Sequence, residues 1–302
     1  MIPAALIILT SLLFPGIIVK VKAKVSGRKG PGLLQPILDI IRLLRKGNVY
    51  STTTSIIFQI GPLIYFATIL FSIFFIPFGD TAGLISFQGD LFLFIYLLGL
   101  GKFFLIINAL DAGSGFEGMG ANREALYSML AEPAFIILFG TFSMMAGYDS
   151  FYEICAHWHL NSSTYLVLSL LASYVLVQIA MVENSRLPVD DPKTHLELTM
   201  VHEVIVLDNS GFDLGLIQLA NAFKFGVFGA LIANFILPEH QALWIRALIF
   251  IGVIFLFAVI VGLMESFRAR LKMEKNPQFI LTLSAISAIA FLVALIITNK
   301  LI

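Results

Sequence analysis

The chain has 302 residues, of which 59% are hydrophobic and 13% are charged. Soluble domains contain roughly 45–50% apolar and about 25% charged residues, so this composition excludes an ordinary soluble protein and indicates an integral membrane protein. Lys plus Arg equals Asp plus Glu at 19 each, so the net charge gives no sign of a nucleic-acid partner. The single cysteine, Cys155, excludes an internal disulfide and an iron–sulfur cluster held by this chain alone, because such a cluster takes about four thiolates.

Eight apolar stretches are long enough to cross a bilayer, which takes about 20 mostly apolar residues. The first lacks the basic start and the small-residue cleavage site of a signal peptide, so we expect a retained helix. The sequence predicts an all-α, polytopic bundle that forms one integral membrane domain over residues 1–302. The predicted spans lie at about 2–19, 56–78, 91–110, 133–148, 164–182, 214–237, 242–264 and 278–299.

The basic residues predict the orientation, because Lys and Arg accumulate in cytoplasmic loops. Of the 19 basic residues, 15 lie in the segments that follow the first, third, fifth and seventh spans. We therefore expect both termini outside the cell, most loop residues in the cytoplasm, and a multi-pass location in the inner, or plasma, membrane of a bacterium or archaeon.

A polar stripe marks a short helix that we expect at about residues 31–46. Gln35, Asp39, Arg42 and Lys46 follow one another at steps of four, three and four within an otherwise apolar segment. The segment is too short to span a bilayer, so we expect it to lie in the interface plane. It is either a surface helix whose basic residues meet anionic lipid, or a wall of a lipid-accessible cavity under a docked partner.

The glycine-rich segment 111–133 connects the third and fourth spans. It contains no GxxxxGK[ST] pattern, so a phosphate-binding loop of that type is excluded. From Asn122 the pattern predicts an amphipathic helix that ends at Glu132 and Pro133, where the fourth span begins. Glu132 is then either solvated at the mouth of that span or part of a polar path inward.

An acidic loop at about residues 183–213 follows the fifth span. Asp191 before Pro192 predicts a helix start, and a helix from there would place His195, Thr199 and His202 on one face. The seven-residue spacing of the histidines does not match a helical zinc pair, so no metal site is predicted. The loop is either a hydrogen-bonded structural network or a proton-handling site, because clustered Glu and His in a polar pocket titrate near neutral pH.

Ionisable side chains also lie inside the predicted spans. Lys102 lies about twelve residues into the third predicted span and Lys224 about ten residues into the sixth, and a charge at such depth costs roughly 2.5–3.5 kcal/mol on insertion scales. Either each lysine is paired inside the bundle for packing specificity, or the lysines extend a half-channel with carboxylates at its mouth. The carboxylates toward the cytoplasmic span ends are Asp111, Glu132, Glu183 and Glu265.

Three segments, in this order, resemble the complex I subunit 1 family over nearly the whole chain: GPGLLQPILDIIRLLRKG, ANREALYSMLAEP and ENSRLPVDDPKTHLELTMVHE. Within that family, LDAGSGFEGMGANRE and DDPKTHLELTMVHE are most similar to the membrane subunit of group 4 nickel–iron hydrogenases, of the formate hydrogenlyase and hydrogenase-4 type. The chain departs from the quinone-reducing pattern in a shortened loop before Gly32 and in His195 and His202.

The resemblance implies a subunit beneath a hydrophilic arm, with iron–sulfur and nickel–iron centres on partner subunits and antiporter-like subunits beside it in the membrane. No cofactor or catalytic residue is expected on this chain itself. In quinone-using relatives the matching positions surround a quinone cavity, whereas in the hydrogenases that cavity need not bind quinone. The matching positions are Arg186, Asp190, Asp191, Glu197 and Glu203 in the acidic loop, Glu132 at the fourth span, and Gln35, Pro36 and Asp39 on the amphipathic helix.

We therefore expect a membrane anchor and energy-coupling subunit that links a redox arm to proton or sodium translocation. The alternatives are subunit 1 of a quinone-reducing NADH or ferredoxin dehydrogenase and, from another class, a freestanding secondary transporter. The residues expected to carry coupling are Asp111, Glu132, Glu183, Asp190, Asp191, Glu197, Glu203, Lys102, Lys224 and Glu265. Those expected to line a cavity or dock a partner are Gln35, Pro36, Asp39, Arg42, Arg123, Arg186, His195 and His202.

Overall fold

The fold is helical throughout the part of the chain that the structure describes. The structure is a computed structural model that describes residues 2–79, 81–158, 163–191, 200–237 and 242–298. Its helices, numbered in chain order, are α1 Ile2–Val25, α2 Gln35–Leu44, α3 Ile56–Ile73, α4 Asp90–Asp111, α5 Gly115–Ala146, α6 Phe151–Ala156, α7 Ser163–Glu183, α8 His202–Ile205, α9 Gly211–Asn234, α10 Leu243–Phe267 and α11 Asn276–Ile297.

Eight of the described helices are long and apolar enough to cross a membrane, namely α1, α3, α4, α5, α7, α9, α10 and α11. A helix satisfies its own backbone hydrogen bonds, which hydrocarbon requires of any spanning segment. The predicted all-α bundle with eight spans is therefore confirmed. With the exception of α5, these helices begin and end within about two turns of the predicted limits.

Helix α9 lies in the middle of the bundle. In its most apolar stretch 83% of the residues are buried, compared with 28–56% in the other seven spans. Small residues allow its neighbours to approach closely: a Cβ on Gly226 would collide with Ser11 of α1, and a Cβ on Gly229 would lie 3.2 Å from the Phe257 ring of α10. Because protein surrounds α9 on most sides, it can carry polar side chains that lipid would not tolerate.

Helix α5 corrects the prediction for the segment between the third and fourth spans. An amphipathic helix was expected to end at Glu132 and a new span to begin at Pro133, but one helix of 32 residues runs through both positions. Proline removes one backbone donor, and such a loss is tolerated inside membrane helices where neighbours stabilise them. Here α11 packs along α5, and Ser284 donates a hydrogen bond of 3.3 Å to the carbonyl of Leu130.

The expected amphipathic helix at about 31–46 is present as α2. Its polar side is joined by hydrogen bonds from Gln35 to Asp39 (3.0 Å) and from Arg42 to Asp39 (3.2 Å). Ile40 is buried, and the helix packs against α1 and α9. Helix α2 therefore covers one side of the central helix instead of lying free in the interface.

Asp111, at the end of α4, caps the start of α3. Its carboxylate accepts hydrogen bonds from the backbone N–H groups of Ser55 (2.8 Å) and Phe58 (3.2 Å), and from the Ser55 hydroxyl (2.8 Å). The first N–H groups of a helix have no partner within the helix, so these bonds satisfy donors that would otherwise be left open. The contacts of Asp111 are those of a helix cap that ties two spans together.

We expect Asp111→Ala to lower the free energy of unfolding by about 0.5–2 kcal/mol, the usual contribution of a helix cap. The midpoint of thermal unfolding in detergent should fall by a few degrees. Glu274→Ala, at an exposed acidic position, is the matched control and should leave the midpoint unchanged. Equal midpoints of thermal unfolding for the two variants would show that Asp111 does not stabilise the protein as a helix cap.

Candidate functional site

Two lysines and two carboxylates form a continuous series of ion pairs inside the bundle. Nζ of Lys102 in α4 lies 2.6 Å from Oε1 of Glu124 in α5 and 3.0 Å from Oε2 of Glu183 in α7. The same Glu183 oxygen lies 2.6 Å from Nζ of Lys224 in α9. We call these four residues the charge chain. Positive and negative groups alternate along it, so that its formal charges cancel.

The charge chain is buried between α4, α5, α7 and α9. The exposed fraction of its side chains ranges from 1% for Lys224 to 13% for Glu183. Taking one ion out of water costs several kcal/mol, and only close pairing offsets that cost. Lys224 is held further by the backbone carbonyl of Glu183, to which it donates at 2.9 Å. The charge chain therefore joins four spans, and the loss of one charge would leave a buried partner unpaired.

Glu124 is a member of the charge chain that sequence reasoning missed. Its segment was predicted as an amphipathic helix before the fourth span, and Glu124 was not singled out within it. A signal was present in the spacing: Glu124 lies on the same helix face as Ser128, Ala131 and Phe135, all of which are buried. A polar residue that continues a buried stripe at steps of three and four indicates an inward-facing group.

A hydrogen-bond series connects the neighbourhood of the charge chain to the acidic loop. The Tyr65 hydroxyl donates to Oδ1 of Asn221 at 2.6 Å, and Nδ2 of Asn221 lies 2.8 Å from Nε2 of His202. Since the amide nitrogen can only donate, Nε2 of His202 accepts, and a neutral ring then carries its proton on Nδ1. A protonated His202 would place two donors against each other.

The surroundings of His202 favour the same neutral form. Burial is the main cause that lowers the pKa of His202 to about 4. The positive charges of Lys102, Lys224 and Arg186 lower that pKa further, while the carboxylate of Glu124 opposes them. His202 is therefore neutral at physiological pH.

Asp190 holds the two ends of the acidic loop together. Its Oδ2 accepts from the backbone N–H groups of Val201 (3.2 Å) and His202 (3.1 Å), while its Oδ1 lies 2.8 Å from the guanidinium of Arg270. Burial raises the pKa of Asp190, and these N–H groups and Arg270 act in the opposite direction. The loop segment from 192 to 199, with His195 and Glu197, lies outside the described residues.

These bonds correct the prediction of one helix from Pro192 through His202. Residues 200 and 201 are not helical, and His202 begins a separate short helix, α8. The N–H groups of Val201 and His202 point to the Asp190 carboxylate instead of to helical carbonyls. A buried carboxylate that needs donors has thus overridden the local helical pattern.

Arg186 joins the acidic loop to α1 and α10. Its guanidinium lies 3.2 Å from Oε1 of Glu265, whose Oε2 lies 2.7 Å from Nζ of Lys22. The guanidinium also sits 5.2 Å from the centre of the Phe225 ring in α9. The Glu265 side chain is fully buried, so one carboxylate serves two cations here.

A cavity of about 850 Å³ opens between α1, α2, the acidic loop and α9. Asn184 and Arg186, which follow the last residue of α7, are in its wall, as are Glu203 and Asn221. The cavity therefore reaches to within one residue of Glu183. Its lining includes six of the residues predicted for a cavity or docking surface: Gln35, Pro36, Asp39, Arg42, Arg186 and His202.

Glu132 lies on the other side of the charge chain from this cavity. It lines a small cavity of about 30 Å³ together with Lys102, Glu183 and apolar side chains of α4, α5 and α9. The volume and the three polar side chains suit one water molecule. Two further predicted residues contact the acidic loop or belong to it: Arg123 of α5 donates to the Met200 carbonyl at 3.0 Å, and the N–H of Asp191 donates to Asp190 at 2.9 Å.

The described residues contain no group of three or more His, Cys, Asp or Glu that could hold a metal. Cys155 and His157 lie on and just after α6. Burial raises the pKa of the Cys155 thiol to about 12, which disfavours the thiolate that a metal requires. Nδ1 of His157 lies 2.9 Å from the carbonyl of Glu153 in the preceding turn.

A comparison with known protein families gives a match over nearly the whole chain. A sequence model of the family described as NADH dehydrogenase matches residues 1–296. The chain belongs to this family. The matched residues include the acidic loop and the four members of the charge chain.

Individual members of the family give a finer picture. The chain is 27% identical to formate hydrogenlyase subunit 4 of Escherichia coli over 288 residues, 92% of each chain. It is 30% identical to hydrogenase-4 component C of the same organism, covering 79% of this chain and 75% of that one. A subunit of the NADH-quinone oxidoreductase of Thermomicrobium roseum is 27% identical, with 82% and 81% covered.

A solved structure shares the fold. A chain of the membrane-bound sulfane sulfur reductase, an archaeal respiratory membrane complex, superimposes with a TM-score of 0.82 at 21% identity. The match covers 97% of this chain and 98% of that one. The described spans are therefore arranged as in that chain.

We expect the free energy of unfolding to fall in mild acid because the unfolded chain protonates His202 more readily than the folded protein does. The folded-state pKa of His202 lies below the usual value of about 6.5, so the unfolded chain binds a proton first. The stability is complete above about pH 6.5 and falls as the pH approaches 4. With about 1.4 kcal/mol per pKa unit, discounted for partial exposure, the loss is on the order of 2 kcal/mol.

Thermal unfolding in detergent between pH 7.5 and 4.5 measures this effect. His202→Gln keeps an acceptor for Asn221 but has no titrating ring, so the midpoint of the variant should fall less steeply with acid than that of the wild type. The other titrating groups are common to both proteins and cancel in the difference. Parallel curves would show that His202 does not carry a perturbed pKa.

Proposed function

We propose that this chain is the membrane anchor and energy-coupling subunit of a multi-subunit, membrane-bound nickel–iron hydrogenase of the formate hydrogenlyase and hydrogenase-4 type. Its role is to link a hydrophilic redox arm to the translocation of protons or sodium ions. The names and coverage of the two Escherichia coli relatives support this choice. The observation that carries it is the position of Glu183, which ends α7 inside the charge chain and is followed at once by the cavity wall.

The coupling follows from electrostatics. Two unit charges about 4 Å apart interact by about 4 kcal/mol at an effective dielectric constant of 20, so one added proton disturbs every neighbour in the charge chain. When a redox event in the arm changes the charge in the cavity wall, Arg186 and Asn184 shift against Glu183. Protonation of Glu183 then removes the negative charge that Lys102 and Lys224 share. The resulting change in the electric field alters the proton affinity of Glu124 and Glu132.

The arm docks, in this proposal, on the side of the acidic loop and α2. We place that side in the cytoplasm because it carries 15 of the 19 basic residues. The chain then lies in the inner membrane with both termini outside the cell. The iron–sulfur and nickel–iron centres belong to the docked subunits, and antiporter-like subunits lie beside this chain and complete the ion path. Glu197 and His195 in the acidic loop are included among the docking and coupling residues.

Glu183→Gln in the intact complex is expected to abolish coupling. Ion translocation per electron, measured in inverted membrane vesicles with a reduced ferredoxin as electron donor, should fall at least about tenfold, while dihydrogen evolution continues. Glu274→Gln is the matched control, because Glu274 is an exposed carboxylate outside the charge chain, and it should translocate ions normally.

Loss of assembly must be separated from loss of coupling. Glu183→Gln leaves two lysines with one carboxylate, and an unpaired buried charge costs roughly 3–5 kcal/mol. The double variant Glu183→Gln with Lys224→Gln restores neutrality, so it should recover the assembled complex but not the ion translocation. Full translocation in this double variant would contradict the role of Glu183.

A second candidate function is quinone reduction, which the cavity favours. Its volume of about 850 Å³ lies in the range of small-molecule sites, and its wall combines apolar side chains with Gln35, Arg186 and His202. These polar groups could hold a quinone head group, which would accept electrons from the docked arm. Turnover of the intact complex with a soluble quinone, sensitive to Arg186→Met, would favour this candidate over the hydrogenase.

Purification through a tag in mild detergent decides between these classes. The hydrogenase proposal expects iron–sulfur, nickel–iron and antiporter-like subunits in the purified complex, and nickel at about one atom per complex. Co-purifying subunits without nickel would favour the quinone-reducing dehydrogenase. A chain that purifies alone and transports a solute alone would overturn both and indicate a freestanding transporter.

A further inference from the structure

A second cavity lies away from the charge chain, on the side of the bundle where α7 and α10 hardly touch each other. Its volume is about 470 Å³. Its floor is formed by the end of α9, with Ile232 and Ile236, and its sides by one face each of α7 and α10. We call this cavity the α7–α10 groove. The function proposed above makes no use of it.

The α7–α10 groove is open toward the hydrocarbon of the bilayer. Leu256 is 56% exposed and Tyr174 is 46% exposed, and both belong to its wall. The lining residues of α10, together with Arg268 just after it, recur at helical spacing from Val253 to Arg268, a distance of 15 residue steps or roughly 22 Å at 1.5 Å per residue. One leaflet of hydrocarbon is about 15 Å thick, so an acyl chain fits along this length.

One end of the α7–α10 groove is positively charged. Arg268 follows the last residue of α10, its side chain is exposed, and it forms no ion pair with any described residue. Arg270 and Lys272 follow in the same basic segment. At the rest of the wall, the polar Gln178 is only 1% exposed, so the surface that a ligand would touch is almost entirely apolar.

We propose that the α7–α10 groove binds an anionic phospholipid. The phosphate group lies against Arg268 at the membrane surface, and one acyl chain fills the space between α7, α9 and α10. This ligand matches the site at both ends, because a charged group meets the guanidinium of Arg268 and a flexible hydrocarbon chain meets the apolar stripe. A bound lipid would fill the space between α7 and α10, which contact each other little.

The test measures the phospholipids that stay on the intact complex after purification in mild detergent, by extraction and mass spectrometry. Arg268→Gln should reduce the retained anionic phospholipid about fivefold, which is the contribution of one basic residue at a membrane surface. Lys272→Gln is the matched control, since Lys272 is an exposed cation of the same segment that does not line the groove. Ile260→Trp, which fills the groove and keeps Arg268, should also release the lipid.

A titration of the delipidated wild-type complex tests the proposal without any variant. Phosphatidylglycerol should raise the midpoint of thermal unfolding at concentrations about fivefold lower than phosphatidylcholine, and inorganic phosphate should have no effect. Equal action of the two lipids, or an equal effect of phosphate alone, would overturn the proposal. Unchanged lipid retention in Arg268→Gln would do the same, as would a cross-link that places a helix of another protein in the groove.

Discussion

The shared position of Glu183 between two lysines is the constraint on which the rest of the interior depends. An uncompensated ion inside the bilayer costs more than most single packing contacts contribute, so α4, α5, α7 and α9 must hold their relative depth and rotation for the charge chain to close. The small residues of α9 serve this requirement, since they allow the neighbouring helices to surround the polar groups and keep lipid away.

The same carboxylate connects two environments. On one side it faces the charge chain in the bundle, and on the other its chain continues directly into the wall of the large cavity. The Tyr65–Asn221–His202 series provides a second connection between these regions. The cavity wall and the charge chain are therefore linked through adjacent residues, whereas buried phenylalanines fill much of the remaining core.

The acidic residues fall into two groups according to the atoms that they contact. Asp111 and Asp190 accept mainly backbone N–H groups and hold helix and loop ends in place, while Glu183 and Glu265 each bridge two cations. Bridging carboxylates respond to a change of charge in either partner, whereas capping carboxylates respond mainly to unfolding. This difference explains how one cluster can combine a rigid loop with an electrically responsive interior.

The sequence alone determined the all-α class, eight spans, the amphipathic helix and the location of Lys102 and Lys224 inside spans, because hydrocarbon imposes rules of length and polarity that act locally along the chain. The tertiary structure decided which charges meet. Glu124 joined the charge chain without being predicted, Asp111 became a cap, α5 continued through Pro133, and Asp190 interrupted the expected helix before His202. Such pairings depend on the depth and rotation of helices that are far apart in sequence, and these are set by side-chain packing, which no local pattern contains.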